Sequence, residues 1–349
     1  MVQWPLMRIS EAKALWQPAG LYCNTATYGL PPQPAWEALQ AALDDWHCGR
    51  TSWEHWGDAT EGSRAVFARL VGVDVDRVAV GSTVSELIGS VVSALPDSAR
   101  VIVPDVEFTS TLFPLLVQRR LDVRTVATDR FVDAIDNDVD AVAFSAVQMS
   151  TGEVADIDAI VAAATAADAL TICDATQGLG WLPLDAGRFD AVACTAYKWL
   201  MSPRGSAFIT VSDRLLDGVV PHSAGWYAGE DVHASYFGPP LRLASTARRL
   251  DVSPAWFSWV GTLPALELIE RLGVAQIHGH DLALANRFRA GVGLEPGHSA
   301  IVTADLPGAD ERLARAGVIA AVRGGRLRTS WHVYNDERDV DRVLEIVGG

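Results

Sequence analysis

The sequence lacks the signatures of several common protein classes. Its four cysteines never fall into C-x-x-C spacing. Neither a zinc ribbon nor a disulfide framework is therefore expected, and a reducing cytosol fits this cysteine usage. Lysine and arginine form no block longer than a doublet, and the formal net charge is −15. These two features disfavour binding to nucleic acid or to an anionic membrane. The histidines show no metal-ligand spacing, so no metal site is expected.

Membrane and motif signatures are missing as well. Charged residues interrupt every long apolar run before it could span a membrane, and Met1–Ser10 lacks the apolar core of a signal peptide. We therefore expect a cytoplasmic protein. There is no G-x-S-x-G elbow, no G-x-G-x-x-G after an N-terminal strand and no Walker loop. These absences argue against a serine hydrolase of that type, a dinucleotide-binding enzyme and a P-loop nucleotidase.

What the sequence does contain is a regular alternation of apolar runs and helical patterns. The chain has 349 residues, of which 49% are hydrophobic, enough for a large core and two domains. The alternation predicts an α/β fold with a mostly parallel seven-stranded sheet and helices on both faces. Ligands should then gather at the carboxyl ends of the strands. Strands are expected at 77–81, 100–103, 122–127, 140–145, 169–173, 190–194 and 206–211.

The patterns also predict how the chain is divided. Residues 1–30 form an N-terminal segment that packs on the small domain or the active site, and 31–253 form the large domain. Residues 254–349 form a small α+β domain, with 254–290 as linking helices. Helices of the large domain are expected at 34–47, 61–71, 84–95, 109–119 and 156–168. In the small domain we expect strands at 299–304, 318–322 and 326–331 and helices at 308–316 and 337–347.

The most informative pair of residues is an acid and a lysine at the ends of two apolar runs. Asp174 closes one run, and Lys198 follows the next in Thr195-Ala196-Tyr197-Lys198-Trp199. Above a parallel sheet the two side chains can meet. Pyridoxal phosphate (PLP) needs such a pair: a lysine for the Schiff base and an acid that keeps the pyridine nitrogen protonated. A buried structural acid and an ordinary surface lysine would give the same pattern.

Three further positions suit the remainder of this cofactor. Ser82 and Thr83 stand between a strand and a helix, where backbone amides and hydroxyls bind phosphate, although Thr83 is also a plain helix cap. Thr195 lies three residues before the lysine and could reach the same phosphate or cap a turn. Gln177 lies three residues after Asp174, where its amide would face the same ligand or solvent.

Two candidates concern the cofactor ring and the substrate. Phe108 follows another strand and could stack on a flat ring, although phenylalanine is more often a core residue. Arg328 lies on a predicted strand of the small domain, where a guanidinium could hold a substrate carboxylate through two hydrogen bonds or face solvent.

Taken in this order, the motifs resemble the class V aminotransferase group of fold-type I PLP enzymes, which includes cysteine desulfurases, kynureninases and C–S lyases. The resemblance extends from about Asn24 to the C-terminus. Its most specific part runs from Asp174 to Gly205, and Leu327-Arg328-Thr329-Ser330 is a second match. The sequence is most similar in character to C–S lyases of the ergothioneine or lincosamide-antibiotic pathways.

The resemblance implies a role for each motif in binding the cofactor. Lys198 would form the Schiff base, Asp174 would contact the pyridine nitrogen and Gln177 the ring hydroxyl. The phosphate would be bound by Ser82, Thr83 and Thr195, and Phe108 would stack on the ring where desulfurases have a histidine.

The resemblance also implies a substrate site and a partner subunit. Arg328 would bind the α-carboxylate of an amino-acid substrate, and Asn24 and Gln148 complete the expected substrate-binding set. Gln148 is included because Met149 occupies the position where many relatives have an asparagine, so the neighbouring Gln148 would take over a role in the pocket. Such enzymes are usually homodimers with sites at the interface, and Ser253 would replace a phosphate contact that the partner subunit supplies.

The expected reaction follows from one departure from the family. Desulfurases carry a nucleophilic cysteine before the carboxylate-binding arginine, whereas here Val322–Arg326 is short and has none. We therefore expect a PLP-dependent C–S lyase that eliminates a thiol from an S-substituted cysteine, with pyruvate and ammonia as products. An aminotransferase, epimerase or decarboxylating deaminase of a modified amino acid is the alternative. A PLP-fold protein without catalysis is a third possibility.

Four aromatic residues are candidates for binding a bulky substituent of the substrate, or for the core: Trp53, Trp56, Trp226 and Tyr227.

Overall fold

A computed structural model describes residues 7–348. Residues 1–6, which begin the predicted N-terminal segment, and residue 349 lie outside the described residues. The helices are α1 (Ile9–Ala12), α2 (Gln33–His47), α3 (Trp53–Val71), α4 (Val84–Val91), α5 (Thr109–Leu116), α6 (Ile157–Ala166), α7 (Asp213–Leu216), α8 (Trp256–Leu272), α9 (Val274–Gly291), α10 (Ala309–Arg315) and α11 (Glu337–Gly348). The strands are β1 (Val78–Gly81), β2 (Arg100–Pro104), β3 (Asp122–Val126), β4 (Ala141–Ser145), β5 (Leu170–Asp174), β6 (Ala191–Thr195), β7 (Ala207–Val211), β8 (Ile301–Ala304), β9 (Ala321–Arg323) and β10 (Arg326–Ser330).

The predicted α/β fold with a mostly parallel seven-stranded sheet is confirmed. The strand order is β1-β7-β6-β5-β4-β2-β3, and β7 alone runs antiparallel to its neighbours. Strands β1, β4, β6 and β7 are buried along their whole length. Burial on both faces explains why these strands appear in the sequence as continuous apolar runs rather than as alternating patterns.

The register of the sheet places the functional segments at one edge. Gly81 at the end of β1 and Thr195 at the end of β6 both pair with Ala207 of β7. Asp174 at the end of β5 pairs with Ser145 at the end of β4. The segments that follow these strand ends therefore leave the sheet side by side, as expected for a ligand site in a parallel sheet.

The second part of the chain carries a three-stranded antiparallel sheet of order β8-β10-β9. The N-terminal segment contacts this sheet, because Asn24 forms a bridge with Ser330 and Tyr22 forms one with Ile319. The domain boundaries at 30 and 253 stay predictions. Among residues 7–348, no helix is both long and apolar enough to cross a membrane.

The observed helices differ from the expected ones mainly in α3. This helix begins at Trp53 rather than at 61, and it packs along α8. Gly62 lies so close to α8 that a Cβ there would meet the Leu263 side chain at 3.0 Å. Tertiary packing thus stabilises a first half whose glycines disfavour a helix. Helix α4 also ends early, at Val91, and continues as the 3-10 turn Val92–Ala94.

Candidate active site

A cavity opens at the carboxyl edge of the large sheet and collects most of the predicted cofactor residues. Its walls come from the segments after β1, β2, β4, β5 and β6. The side chains that line it are Ser82, Thr83, Val84, Ser85, Phe108, Ser110, Ser145, Met149, Asp174, Thr176, Gln177, Thr195, Tyr197, Lys198 and Arg204.

Lys198 presents its amine to this cavity from a buried position, with 7% of the residue exposed. Its Nζ lies 5.7 Å from the centre of the Phe108 ring and 5.8 Å from that of Tyr197. Burial lowers the pKa of the amine from 10.5 to about 8, Asp174 opposes this shift, and Arg328 adds to it. About one tenth of the lysine is therefore the neutral, nucleophilic amine at pH 7, far more than for an exposed lysine.

Asp174 is buried and held in one orientation by two donors. The backbone N–H of Thr176 donates to Oδ1 at 2.9 Å, and the hydroxyl of Thr111 donates to Oδ2 at 3.2 Å. The Thr176 hydroxyl in turn accepts from the backbone N–H of Thr195 at 3.1 Å. These bonds tie the ends of β5 and β6 together, so the carboxylate and the Lys198 segment keep a constant relative position.

Gln177 lines the cavity, and its amide is oriented by two neighbours. Nε2 donates to the backbone oxygen of Ala26 at 2.9 Å, and Oε1 accepts from Trp199 Nε1 at 2.9 Å. The N-terminal segment reaches the lysine segment again at Gly29, whose N–H donates to Tyr197 O at 2.9 Å. Only glycine fits there, because a Cβ would lie 1.9 Å from Lys198 O.

The turn from β1 into α4 offers several phosphate-binding donors. Thr83 caps α4, with its Oγ1 accepting from the N–H of Glu86 at 3.3 Å and lying 3.3 Å from Ser85 Oγ. Ser82 and Thr195 line the same cavity. Thr83 therefore serves as a helix cap, and Ser82, Val84 and Ser85 of the same turn line the cavity at a helix N-terminus, a position that suits a phosphate.

Phe108 lies over the cavity, but Gln148 does not line it. Gln148 Nε2 donates to the buried carboxylate of Glu107 at 3.2 Å, and the residue lines a separate cavity behind Ser145. Glu107 also accepts from the backbone N–H of Ser145 at 2.7 Å. This geometry does not favour the predicted contact between Gln148 and the substrate, because the Gln148 amide is already bound to the Glu107 carboxylate. Burial raises the pKa of that carboxylate.

Arg328 is 1% exposed, contacts the cavity residue Met149 and has no carboxylate partner among residues 7–348. Nη1 donates to Met149 O at 2.7 Å and Nη2 to Thr27 Oγ1 at 2.6 Å, while the buried Nε has no partner within residues 7–348. Burial and the nearby Arg323 lower its pKa to about 10. A buried guanidinium with an unused donor suits an incoming carboxylate.

Several expected residues lie outside the cavity wall of this chain. Asn24 carries a buried Oδ1 without a partner among the described residues, next to the Ser330 bridge. Ser253 is exposed. Of the aromatics proposed for a bulky substituent, Trp53 and Trp226 pack on one another with ring centres 5.2 Å apart, and Trp56 packs on Phe257. None of these aromatic rings lines the cavity around Lys198.

Other contributors were not assigned a role from the sequence. Thr111 and Thr176 orient Asp174, and Arg204 lines the cavity with its guanidinium 5.0 Å from the centre of the Tyr197 ring. Thr176 follows Asp174 by two residues, and a contact between the Asp174 carboxylate and the backbone N–H two residues later is a common turn pattern that the sequence could have indicated. Thr111 gave none, because it lies 63 residues from its partner.

His332 anchors the lysine segment to the second part of the chain. Its Nδ1 lies 2.7 Å from Asp281 Oδ2 and its Nε2 lies 3.0 Å from Trp199 O. The ring is completely buried. Both ring nitrogens are occupied, so His332 positions the lysine segment and is not free to act as an acid or base in the cavity.

The residues fit a bound pyridoxal phosphate. The cavity combines a lysine amine of lowered pKa, an oriented carboxylate, an aromatic ring and a helix start rich in hydroxyls. Lys198, Asp174 and Phe108 would hold the ring, and Ser82, Thr83 and Thr195 the phosphate. The fold and this constellation define a PLP-dependent enzyme of fold type I.

The chain belongs to the Aminotransferase class-V family, whose model matches residues 54–307. It is 27% identical over 340 residues to the uncharacterized aminotransferase YcbU of Bacillus subtilis (strain 168), covering 90% of each chain. It is 28% identical to the isopenicillin N epimerase of Streptomyces clavuligerus, covering 81% of this chain and 82% of that protein. The predicted family is confirmed.

Solved structures show the same fold. The cystine C–S lyase C-DES, in complex with its product cysteine persulfide, superposes with a TM-score of 0.83 at 19% identity, covering 93% of this chain and 96% of that one. The cysteine desulfurase CsdA of Escherichia coli gives a TM-score of 0.82 at 19% identity and covers 98% of each chain. A C-DES variant with glycine linked to PLP gives 0.85 at 18% identity, covering 98% of this chain and 99% of that one.

The rate at which the cofactor-free protein attaches PLP will rise steeply between pH 6 and pH 8 and level off above. Only the neutral amine of Lys198 attacks a carbonyl, and its pKa is lowered to about 8. The neutral fraction grows by about 50-fold over that interval. Stopped-flow absorbance at fixed PLP concentration measures this rate. Nα-acetyl-lysine, measured in parallel, should continue to accelerate to pH 10, and a protein that did the same would contradict the lowered pKa.

Proposed function

We propose that this protein is a PLP-dependent C–S lyase that eliminates a thiol from an S-substituted cysteine. The observation that carries the proposal is the Lys198 amine, which is buried beside Asp174 and Arg328 and has a pKa of about 8. A base for a Cα proton works best when its pKa lies near the operating pH. PLP, when bound, supplies the electron sink that lets the Cα–H bond break.

Each residue has a defined task in this proposal. Arg328, whose Nε has no partner among the described residues, binds the α-carboxylate. Lys198 removes the Cα proton, and the resulting ammonium donates that proton to the departing thiolate sulfur. Asp174, oriented by Thr176 and Thr111, keeps the pyridine nitrogen protonated. With one water consumed, the balanced products are a thiol, pyruvate and ammonium.

The side chains around Lys198 favour elimination over persulfide formation and over two-base epimerisation. The hairpin before Arg328 turns at Gly324-Gly325 and has no thiol, while burial raises the pKa values of Cys173 and Cys194. Epimerisation would need a second base across the cavity. Tyr197 is close to the lysine, but burial raises the pKa of its hydroxyl, which stays protonated at neutral pH.

The test is incubation of the PLP-loaded protein with S-alkyl and S-aryl cysteines, with thiol, pyruvate and ammonia quantified by mass spectrometry and coupled assays. We expect the three products in equal amounts. Carbon dioxide with an aldehyde, a racemised substrate, or products only after addition of a keto acid would refute the lyase proposal. These outcomes would indicate a decarboxylating deaminase, an epimerase or an aminotransferase, respectively.

We further propose a cytoplasmic homodimer whose sites lie at the subunit interface. Phe108 at the cavity and Phe113 and Val117 further along the same segment are exposed apolar side chains, which supports an interface on this face. The exposure of Ser253 is compatible with a contact to the partner's cofactor. The four cysteines are free, as in a reducing compartment. Light scattering at several protein concentrations tests the dimer.

A further inference from the structure

Two arginines lie side by side at the edge of the proposed substrate site. Arg323 ends β9 and Arg328 lies on the neighbouring strand β10. The hydroxyl of Thr27 accepts from Arg328 Nη2 at 2.6 Å, and Arg323 Nη2 lies 3.4 Å from the same oxygen. One small hydroxyl therefore brings two positively charged groups together.

Neither guanidinium has an acidic partner among residues 7–348. The influences on the pKa of Arg328 are burial and Arg323, with no carboxylate among them. Arg323 donates to the backbone oxygen of Val322 and towards Thr27. By contrast, Arg64, Arg69 and Arg287 each form a carboxylate pair.

Two adjacent cations repel one another, and Arg328 is also buried and without a carboxylate partner among the described residues, so a bound anion would stabilise the arrangement. The α-carboxylate of an amino acid supplies one negative charge, and Arg328 accounts for it. Ser82, Thr83 and Thr195 line the cavity and would bind the phosphate of PLP, so this phosphate does not account for the second cation. Arg323 is left over.

The charge of Arg323 also acts on the proposed active site. Both arginines act on the amine of Lys198, lowering its pKa. The glycines at 324 and 325 have positive φ values of 55° and 77°, which close the hairpin tightly and keep Arg323 beside Arg328. A flexible longer loop would not hold a second cation at this distance.

We propose that the substrate is dianionic: an amino acid whose β-substituent ends in a second carboxylate, bound by Arg323 while Arg328 binds the α-carboxylate. That the ligand is an amino acid rests on the proposed function, whereas the second carboxylate is inferred from the two arginines. The charge arrangement then selects dicarboxylic amino acids over those with a neutral substituent.

The test compares the binding of two unreactive acids of equal length, glutarate and pentanoate, to the PLP-loaded protein by calorimetry. Glutarate should bind about 10-fold more tightly, or about 1.4 kcal/mol. Arg323→Gln should remove this preference, because glutarate then has no second cation to bind and pentanoate never used one. Arg326→Gln is the matched control, because Arg326 is an exposed arginine across the same turn and should retain the preference.

Equal affinities in the wild type, no binding of either acid, or a preference that survives in Arg323→Gln would overturn the inference. The lyase assay is run separately with S-(2-carboxyethyl)cysteine and S-propylcysteine, where the first should react with at least about 10-fold higher kcat/KM. If neither cysteine releases thiol and pyruvate while glutarate is still preferred, the lyase proposal fails and the second anion site stands.

Discussion

Lys198→Ala will abolish covalent attachment of PLP and lower the turnover of any amino-acid substrate by about 10²–10⁴-fold. The side chain is both the attachment point and the proposed base, and its amine faces the cavity from a buried position. The purified wild type should be yellow, with an absorbance band that borohydride removes. Mass spectrometry of the reduced protein should show one pyridoxyl group in the wild type and none in the variant.

The chain provides a good control for this experiment, because Lys13 is its one other lysine. Lys13 forms an ion pair with Asp336 at 2.5 Å on the surface, away from the cavity. Lys13→Ala should keep the absorbance band, the pyridoxyl mass and the activity. A Lys198→Ala protein that still carried a reducible cofactor and turned over substrate would disprove the assignment of Lys198. A wild type that binds PLP without reacting with any amino acid would favour a non-catalytic role.

Asp251→Ala will lower the free energy of unfolding by about 3–5 kcal/mol, because it removes the buried counter-ion of Arg64 and leaves only the half-exposed Glu61 to pair with it. Arg64 is 1% exposed and Asp251 is fully buried, and Nη2 lies 2.6 Å from Oδ2. The pair also holds β1, since Arg64 donates to Val78 O at 2.7 Å and Asp251 accepts from the N–H of Val80 at 2.8 Å. Strand β1 leads directly to the predicted phosphate-binding turn.

Urea unfolding followed by fluorescence and circular dichroism measures this loss. The matched control is the exposed pair of Arg69 and Glu270, which has a similar 2.6 Å contact at the surface. Arg69→Ala should cost less than about 1 kcal/mol. Equal losses in the two variants would show that burial does not govern the strength of the Arg64–Asp251 pair. The double variant Arg64→Met/Asp251→Leu should recover part of the loss, because no uncompensated charge remains.

The strands were the most predictable part of the fold. Residues 78–81, 141–145, 191–195 and 207–211 are buried on both faces, so their apolar runs stand out within one or two residues of the true boundaries. The first half of α3 was missed, because its glycines weaken the local helix signal and contacts with α8 provide the stabilisation.

In the candidate site, too, some residues could be predicted from the sequence and others depended on tertiary contacts. Asp174, Gln177, Thr195 and Lys198 were predictable, because each lies at or just after a strand end and strand ends of a parallel sheet converge. The geometry does not favour the substrate contact predicted for Gln148, whose amide binds Glu107 from a distant part of the chain. No local pattern indicates which of several neighbouring polar side chains a buried carboxylate will bind.

The sequence by itself determined the order of helices and strands, the family and the chemical groups at the strand ends. These depend on local apolar patterns and on motifs that lie close together in the chain. Only the tertiary structure decided that Arg323 joins Arg328 at Thr27 and that Asp251 pairs with Arg64. These contacts join residues 187 to 301 positions apart. Such partners are chosen by how the packed elements meet, because a buried charge accepts whichever hydrogen-bonding group the fold places beside it.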